Sequence, residues 1–276
     1  MNEFRADLHC HTTCSDGSYS PEDLVRLAKQ IGLSAISITD HDTVDAYPRA
    51  IPLCAELGIE LLSGIEFSTV LNGASVHILG YGFDPKSKDL AAFCAMHVKR
   101  RQVRNQAILD LLTAGGMPVT EEDVLDTLPK GESTAQRVIG RPHIAQAMVK
   151  KGYASSVQEA FRKFIAEGQP YYVQGSSFGV EETIDLIHRI NGIAVIAHPH
   201  LIRNTRLIDA LLNMNFDGIE CYYGRFQPKD HQRWLKIADK KGWLVTGGSD
   251  FHGTVKPDQP LGSSWVDQEK FKKLMR

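Results

Sequence analysis

The sequence carries almost no net charge. Its 31 lysines and arginines against 33 aspartates and glutamates leave a formal charge of -2 at pH 7. No overall field draws the chain to nucleic acid or to an anionic membrane, so any phosphate chemistry has to rest on local charge. Apolar runs are short, none near the roughly 18 residues of a membrane span. Met1 to Cys10 lacks a basic stretch followed by an apolar one, so no secretory signal is expected. The five cysteines (Cys10, Cys14, Cys54, Cys94 and Cys221) are odd in number and form no CxxC pair. That pattern excludes a disulfide framework and suits buried thiols in a reducing cytoplasm. There is no GxxxxGK[ST] phosphate loop and no GxGxxG fingerprint, which argues against nucleotide-driven or dinucleotide chemistry. Low-complexity segments and internal repeats are missing too.

What is present is alternation. The 276 residues, 42% of them hydrophobic, suit one α/β barrel with an insertion. Phe4 to His9, Ala35 to Ile38, Ile59 to Ile65 and Ser75 to Tyr81 read as strands. Ser20-Pro21-Glu22-Asp23 reads as a helix start, with Ser20 as its cap, and a second helix carries Pro48 and Pro52 and should be irregular. Alternation then stops. Residues 87–172 read as a helical insertion, with a long first helix and a capping box at Thr120 and Asp123. It resumes with strands at Ile193 to Ala197, Gly218 to Cys221, Trp243 to Thr246 and, at the end, Ser264 to Val266. About seven strands alternating with helices indicate a parallel barrel, formed by residues 1–86 and 173–276.

In such barrels chemistry sits at the C-terminal ends of strands. Asp7-Leu8-His9-Cys10-His11 ends the first strand, and residues two apart on an extended segment share a face. His9 and His11 can grip one ion while Leu8 and Cys10 turn into the wall. Asp16, Asp40-His41, Glu66, His198, Asp250 and His252 fall at or near other strand ends, and His77 lies within a strand. A single histidine is more often structural, as expected for His97, His188 and His231. Burying six histidines and three carboxylates in one mouth is costly unless metal neutralises them. Imidazole and carboxylate suit zinc, manganese, iron or nickel without selecting one.

Taken in order, Asp7-Leu8-His9-Cys10-His11, Ile38-Thr39-Asp40-His41, Gly64-Ile65-Glu66, Ala197-His198-Pro199 and Ser249-Asp250-Phe251-His252 resemble the motifs of the PHP (polymerase and histidinol phosphatase) superfamily. The resemblance covers almost the whole chain. It implies a distorted seven-stranded (β/α)7 barrel holding two or three divalent ions, manganese first, with zinc or iron as alternatives. By resemblance, His9, His11, Glu66 and Asp250 hold one ion. Glu66 bridges to a second, held also by His77 and His198, and Asp16, His41 and His252 hold a third. Asp7 and Asp40 orient ligands by hydrogen bonds, and with Glu66 and Asp250 they are the expected catalytic carboxylates.

Gly140-Arg141-Pro142-His143 and His77-Ile78-Leu79-Gly80-Tyr81 are similar to the TrpH-like branch, which includes nucleoside 3',5'-bisphosphate phosphatases and 5'-to-3' exoribonucleases. That branch implies that Arg141 and His143, in the insertion, hold substrate phosphate. The expected reaction is hydrolysis of a small phosphorylated nucleotide or short 5'-phosphorylated RNA by metal-activated hydroxide. No membrane or obligatory protein partner is expected.

Other signals are weaker. Tyr222-Tyr223, after the sixth strand, is the better pair to stack a base, with Tyr222 foremost; Tyr171-Tyr172 is the alternative, and core packing is expected for at least one of each pair. Lys99-Arg100-Arg101 with Arg104 is a basic patch that could attract an oligonucleotide backbone, although most such runs are solvated faces. Gly175-Ser176-Ser177-Phe178-Gly179 matches G-x-S-x-G, but the strong histidines are committed elsewhere. The rivals to a bisphosphatase are a histidinol-phosphatase, a proofreading exonuclease, or a binding module whose metals only stabilise a fold.

Overall fold

The computed structural model of this chain describes residues 3–128, 138–175 and 178–275. Residues Ser176 and Ser177 of the G-x-S-x-G match lie outside them. Contacts divide the chain into two compact units, residues 1–92 with 178–276, and residues 93–177.

The first unit begins β1 (Ala6–Cys10), α1 (Pro21–Gln30), β2 (Ala35–Ile38), α2 (Tyr47–Leu57), β3 (Glu60–Leu61), β4 (Gly64–Leu71) and β5 (Ala74–Tyr81). Next come α3 (Lys88–Ala114), which runs past the unit boundary, then α4 (Glu121–Leu125), α5 (Arg141–Lys150) and α6 (Val157–Ala160). The first unit resumes with β6 (Phe178–Gly179), α7 (Val180–Arg189), β7 (Ile193–Ile196), α8 (Thr205–Leu212), β8 (Gly218–Tyr223), α9 (Pro228–Lys241), β9 (Leu244–Gly248) and α10 (Gln268–Leu274).

The helix starts follow local chemistry. The Ser20 side chain accepts from the Asp23 N–H, and Thr120 with Asp123 closes a reciprocal capping box. The second helix, expected to be irregular, is continuous. Pro48 sits in its first turn, where no N–H is needed, and Pro52 is carried inside it.

The strands form two open sheets rather than one closed ladder. One has the order β1-β2-β3, all parallel; the other is β6-β4-β5-β7-β8-β9. The wholly parallel arrangement is corrected by β5, which runs antiparallel to both β4 and β7. The reason is local: Asn72 and Gly73, both with positive φ, close a tight hairpin between β4 and β5, leaving no room for a crossover helix. The expected third strand is also split, into β3 and β4, so Glu66 is the third residue of a new strand. The expected terminal strand reduces to one bridge from Val266 to Ala6.

The two sheets meet at isolated bridges, Cys10 with Phe251 and His41 with Glu66. At the first seam the Asp250 N–H donates to the His9 carbonyl at 2.8 Å, and the His11 N–H to the Phe251 carbonyl at 2.9 Å. Gly248 is required there, because a Cβ would collide with His9.

Leu8 and Cys10 are both fully buried, but in separate apolar clusters, because the register of β1 shifts between Asp7 and Cys10. The second unit has its own core, with Ile108, Leu112, Ile144, Met148 and Ile165 all buried. Among the described residues no helix is long and apolar enough to cross a membrane. All five cysteines are free.

Candidate metal centre

Glu66 is the hub. Its side chain is 1% exposed, and five imidazoles face it. Oε1 lies 2.8 Å from His77 Nδ1 and 2.9 Å from His198 Nε2. Oε2 lies 3.2 Å from Nε2 of both His9 and His11, and 3.3 Å from His41 Nδ1. Asp250 Oδ1 lies 3.2 Å from His11 Nε2 and 3.5 Å from His9 Nε2. Asp16 completes the set, 3.3 Å from His252 Nε2 and 3.8 Å from His41 Nε2.

Three groups of donor atoms are each compact enough for one ion, with atoms within 4.8 Å of one another. They are His9, His11, Glu66 and Asp250; His11, Asp16, His41 and His252; and His41, Glu66 and His77. His198 joins through Glu66. The structure thus brings all nine expected ligands into one cluster, and lets His11 and His41 each belong to two groups.

Metal fits this donor set. Nε2 of His9, His11 and His252 and Nδ1 of His41 are buried without a hydrogen-bond partner. They stand near carboxylate oxygens but off hydrogen-bond geometry, so they point at shared space between the groups. Buried polar atoms left unpaired are costly, and a coordinated cation removes that cost. Burial pushes the carboxyls of Glu66, Asp16 and Asp250 up, but the groups around them outweigh it and hold all three well below the usual range. For Glu66 those groups are the imidazoles of His41, His77 and His9, and for Asp250 they are Lys256 and the imidazoles of His252 and His9. The acids therefore remain ionised and available to cations.

Strained backbone aims two of the ligands. Asp250 has φ 55° and His198 φ 25°, both in the left-handed region that non-glycine residues seldom occupy.

The supporting carboxylates hold loops in place. Asp7 accepts N–H bonds from Ser249 at 2.9 Å, Gly262 at 2.8 Å and His9 at 3.3 Å. Burial pushes its carboxyl up to about 6 against those three bonds. Asp40 accepts from the Thr12 N–H at 2.7 Å, the Thr12 hydroxyl at 2.6 Å and the Ser15 hydroxyl at 2.5 Å, ordering the loop that delivers Asp16.

Glu220 and Lys256 carry no expectation from the sequence, and Tyr223 is expected there only as a base-stacking candidate. Glu220 is fully buried; it lies 2.9 Å from His9 Nδ1 and accepts the His198 N–H at 2.7 Å. Its signal was a carboxylate inside the apolar strand Gly218-Ile219-Glu220-Cys221. The Tyr223 hydroxyl and Lys256 Nζ donate to Asp250 Oδ2 at 2.6 and 2.9 Å.

Tyr222 is a correction. A bulge in β8 between Glu220 and Tyr222 shifts the alternation by one, so Tyr223 joins Glu220 on the side of the centre. Tyr222 packs instead against His231 and beneath Lys270. His231 and His188 are structural: His231 Nε2 accepts from the Tyr223 N–H, and His188 Nε2 lies 2.8 Å from Asp217.

Arg141 opens α5, its guanidinium 5.4 Å from the Tyr172 ring and 5.7 Å from Phe161. The Arg104 guanidinium lies 5.6 Å from the same Tyr172 ring, and its Nε donates to the Val173 carbonyl at 2.8 Å. Burial, reinforced by the like charges of Arg141 and Arg101, brings Arg104 down to about 10. Among the described residues neither Arg104 nor Arg141 makes an ion pair, and Glu167 is the one carboxylate whose charge is felt at Arg141. His143 is buried and uses Nδ1 to accept the Gly140 N–H at 3.1 Å, so any phosphate contact it makes is through Nε2.

An α/β frame carrying clustered histidines and carboxylates at strand ends defines a metallohydrolase class. The PHP domain model matches residues 7–227, and the chain belongs to the PHP family. A 5'-3' exoribonuclease of Haemophilus influenzae is 34% identical over 254 residues, 89% of this chain and 89% of that protein. A 3',5'-nucleoside bisphosphate phosphatase of Chromobacterium violaceum is 29% identical over 261 residues, 93% of this chain and 90% of the other. A Bifidobacterium adolescentis structure, described there as a predicted metal-dependent phosphoesterase, is similar with TM-score 0.88 and 33% identity, covering 98% of this chain and 95% of that one.

Proposed function

We propose that this PHP-family enzyme is a metal-dependent phosphoesterase acting on nucleoside 3',5'-bisphosphates and on the 5' ends of short RNA. The observation that carries the reading is Glu66, one buried carboxylate whose two oxygens each face different imidazoles. His9, His11 and Asp250 would hold one ion with Glu66, and His77 and His198 a second. Asp16, His41 and His252, with His11 beside them, would hold a third. Manganese is the first candidate, with zinc or iron as alternatives. The two open sheets, bridged at Cys10 and His41, would be the wall of a distorted seven-stranded barrel around this centre.

When bound, divalent ions would activate water for in-line attack on phosphorus and offset charge on the phosphoryl oxygens. The chain's residues supply the geometry. Tyr223 and Lys256 occupy Asp250 Oδ2, which leaves Oδ1 to face His9 and His11. Glu220 orients the His9 ring, and Asp40 fixes the loop before Asp16. The exclusion of water from these buried groups strengthens each contact.

Residues 87–172 would form a substrate-capping insertion. Arg141 and Arg104, sharing Tyr172 and making no ion pair among the described residues, would take the phosphate that is not cleaved. A bisphosphate and a 5'-phosphorylated RNA end both present a second phosphate one ribose away, which unites the two substrate classes. The soluble compartment expected for such substrates is the cytoplasm.

The test is a phosphate-ester panel with purified protein, with and without added manganese. Adenosine 3',5'-bisphosphate and 5'-phosphorylated oligoribonucleotides should be the best substrates, and chelation should abolish turnover. Preference for histidinol phosphate, or for unphosphorylated DNA 3' ends, would move the chain to another branch. Turnover of none of these, with metal bound, would leave a metal-stabilised binding module.

A further inference from the structure

The centre does not account for the surface made by the loops after β7 and β8. These two strands are parallel, so both loops open at the end that delivers His198 and Tyr223. The first loop carries His200 and Arg203, and Arg206 follows in the first turn of α8. The second carries Arg225 and Phe226, and Lys229 follows at the start of α9. Residues 199–209 and 221–230 thus hold four cations, Arg203, Arg206, Arg225 and Lys229, against two acids, Asp209 and Asp230, in a chain whose formal net charge is -2.

All four cations are exposed, and among the described residues none has a side-chain hydrogen bond or an acid partner. The first turn of α8 has a cation and no acid, the reverse of what the helix dipole favours. Fold stability therefore gives no reason for this charge.

The same two loops supply an aromatic platform. The His200 ring stacks on Phe226 with centroids 5.0 Å apart and planes at 20°, and the Trp234 ring meets it edge-on at 5.5 Å. Both His200 nitrogens are buried without partners, so this ring acts as apolar surface that locks one loop to the other. Phe226 is only partly buried, and Leu201, on the first loop, is 41% exposed. Flat apolar surface bordered by unpaired guanidinium groups matches a single-stranded nucleic acid, whose bases stack and whose phosphates pair with arginine.

We infer that the loops after β7 and β8 form a binding tract for the nucleotides of a single-stranded oligonucleotide that lie beyond the one being cleaved. This rests on the phosphoesterase reading above and deepens it. A nucleoside bisphosphate has no further nucleotides to place there, so the tract favours RNA ends over mononucleotides.

The experiment uses the metal-loaded enzyme and a fluorescent 5'-phosphorylated oligouridine of about ten nucleotides with slowly cleaved phosphorothioate linkages, comparable to the span of one single-strand site. Binding is read by anisotropy across a salt series. Turnover is read separately on the natural oligouridine and on adenosine 3',5'-bisphosphate. The double variant Arg203→Ala/Arg225→Ala should bind the oligomer about tenfold more weakly and lower the slope of log K against log salt by about 1.4, from two lost phosphate contacts. Phe226→Leu, which keeps apolar volume but loses the ring, should weaken binding about fivefold. In both variants kcat/KM should fall for the oligomer and stay within about twofold for the bisphosphate, on which the tract makes no contact. Unchanged oligomer binding, or equal losses on both substrates, would overturn the tract. If the wild type cleaves the bisphosphate but the variants bind oligomer normally, the tract fails and the phosphoesterase stands. If it binds oligomer through these residues but cleaves no phosphate ester, the reverse holds.

Discussion

The two units each hold charge away from water, and they do so with opposite signs. At the metal centre Asp16, Glu66 and Asp250 are buried among imidazoles, and among the described residues Lys256 is the lysine that reaches them. In the second unit Arg104 and Arg141 crowd one tyrosine ring and reach only backbone carbonyls. Carboxylates buried among imidazoles suit cations, and the proposed role of the arginine pair is to hold an anion. The first asks for cations and the second for an anion. A metal-dependent enzyme for phosphorylated substrates needs both.

The largest expected effect tests the cationic half. Glu66→Ala removes the carboxylate that faces five imidazoles, so metal content should fall and turnover should drop by at least about a thousandfold. Circular dichroism should still show the folded chain, since Leu8, Ile65 and their neighbours are untouched. Metal analysis and kcat on adenosine 3',5'-bisphosphate check this. Turnover within about tenfold of wild type would mean that two-metal catalysis is the wrong mechanism.

The next effect tests the anionic half. Arg141→Ala should leave metal content unchanged and lower kcat/KM for a nucleoside 3',5'-bisphosphate by about 2–4 kcal/mol, the scale of a charge-assisted phosphate contact in a sheltered site. An aryl phosphate, with no second phosphate, should lose much less. Equal losses on both substrates would place Arg141 on the scissile phosphate, and a loss on neither would remove the arginine pair from substrate binding.

The comparison also explains what could be read from the sequence. Ligands announced themselves because strand ends are short and ionisable residues there are conspicuous against apolar runs. The shared target of His9 and His11 was legible from their spacing, although the register of β1 shifts between Asp7 and Cys10. Tyr223 was not, because the bulge after Glu220 shifts the phase, and a bulge leaves no mark in composition. Antiparallel β5 was missed because a hairpin and a crossover both read as strand, turn, strand. Asp7 and Asp40 were legible as supporting carboxylates, but their partners were not: Gly262 and Asp7 are 255 residues apart. The convergence of Arg104 and Arg141 on Tyr172 is likewise a tertiary contact, seen in the sequence only as a basic run and a separate motif.

A smaller effect separates orientation from coordination. Glu220 touches no space between the ligand groups; it fixes the His9 ring and the His198 backbone from behind. Glu220→Gln keeps the shape but loses the acceptor charge at His9 Nδ1. Metal affinity should weaken by about 10–100-fold, as for other residues that orient metal-bound imidazoles. With saturating metal, most of the turnover should return. Isothermal titration with manganese, followed by kcat at high metal, distinguishes this from loss of a direct ligand. Failure of high metal to restore turnover would assign Glu220 to the chemistry itself.

The smallest expected effect falls on Lys256, the exception to the comparison, since it is a cation within the acidic centre. Its Nζ is 2.9 Å from Asp250 Oδ2, while the Tyr223 hydroxyl donates to the same oxygen at 2.6 Å. The lysine side chain is 38% exposed, so solvent screens the pair and its worth is well below that of a buried one. Lys256→Met removes the charge but leaves Tyr223 holding Oδ2. If the lysine only steadies Asp250, kcat should fall by about fivefold, KM should hardly change, and Lys256→Arg should restore most of the loss. If it instead binds substrate phosphate, KM for the bisphosphate should rise while the oriented Asp250 keeps kcat. A KM effect as large as that of Arg141→Ala would end the division between a cation-seeking centre and an anion-seeking cluster. It would make the centre itself a second phosphate-binding site.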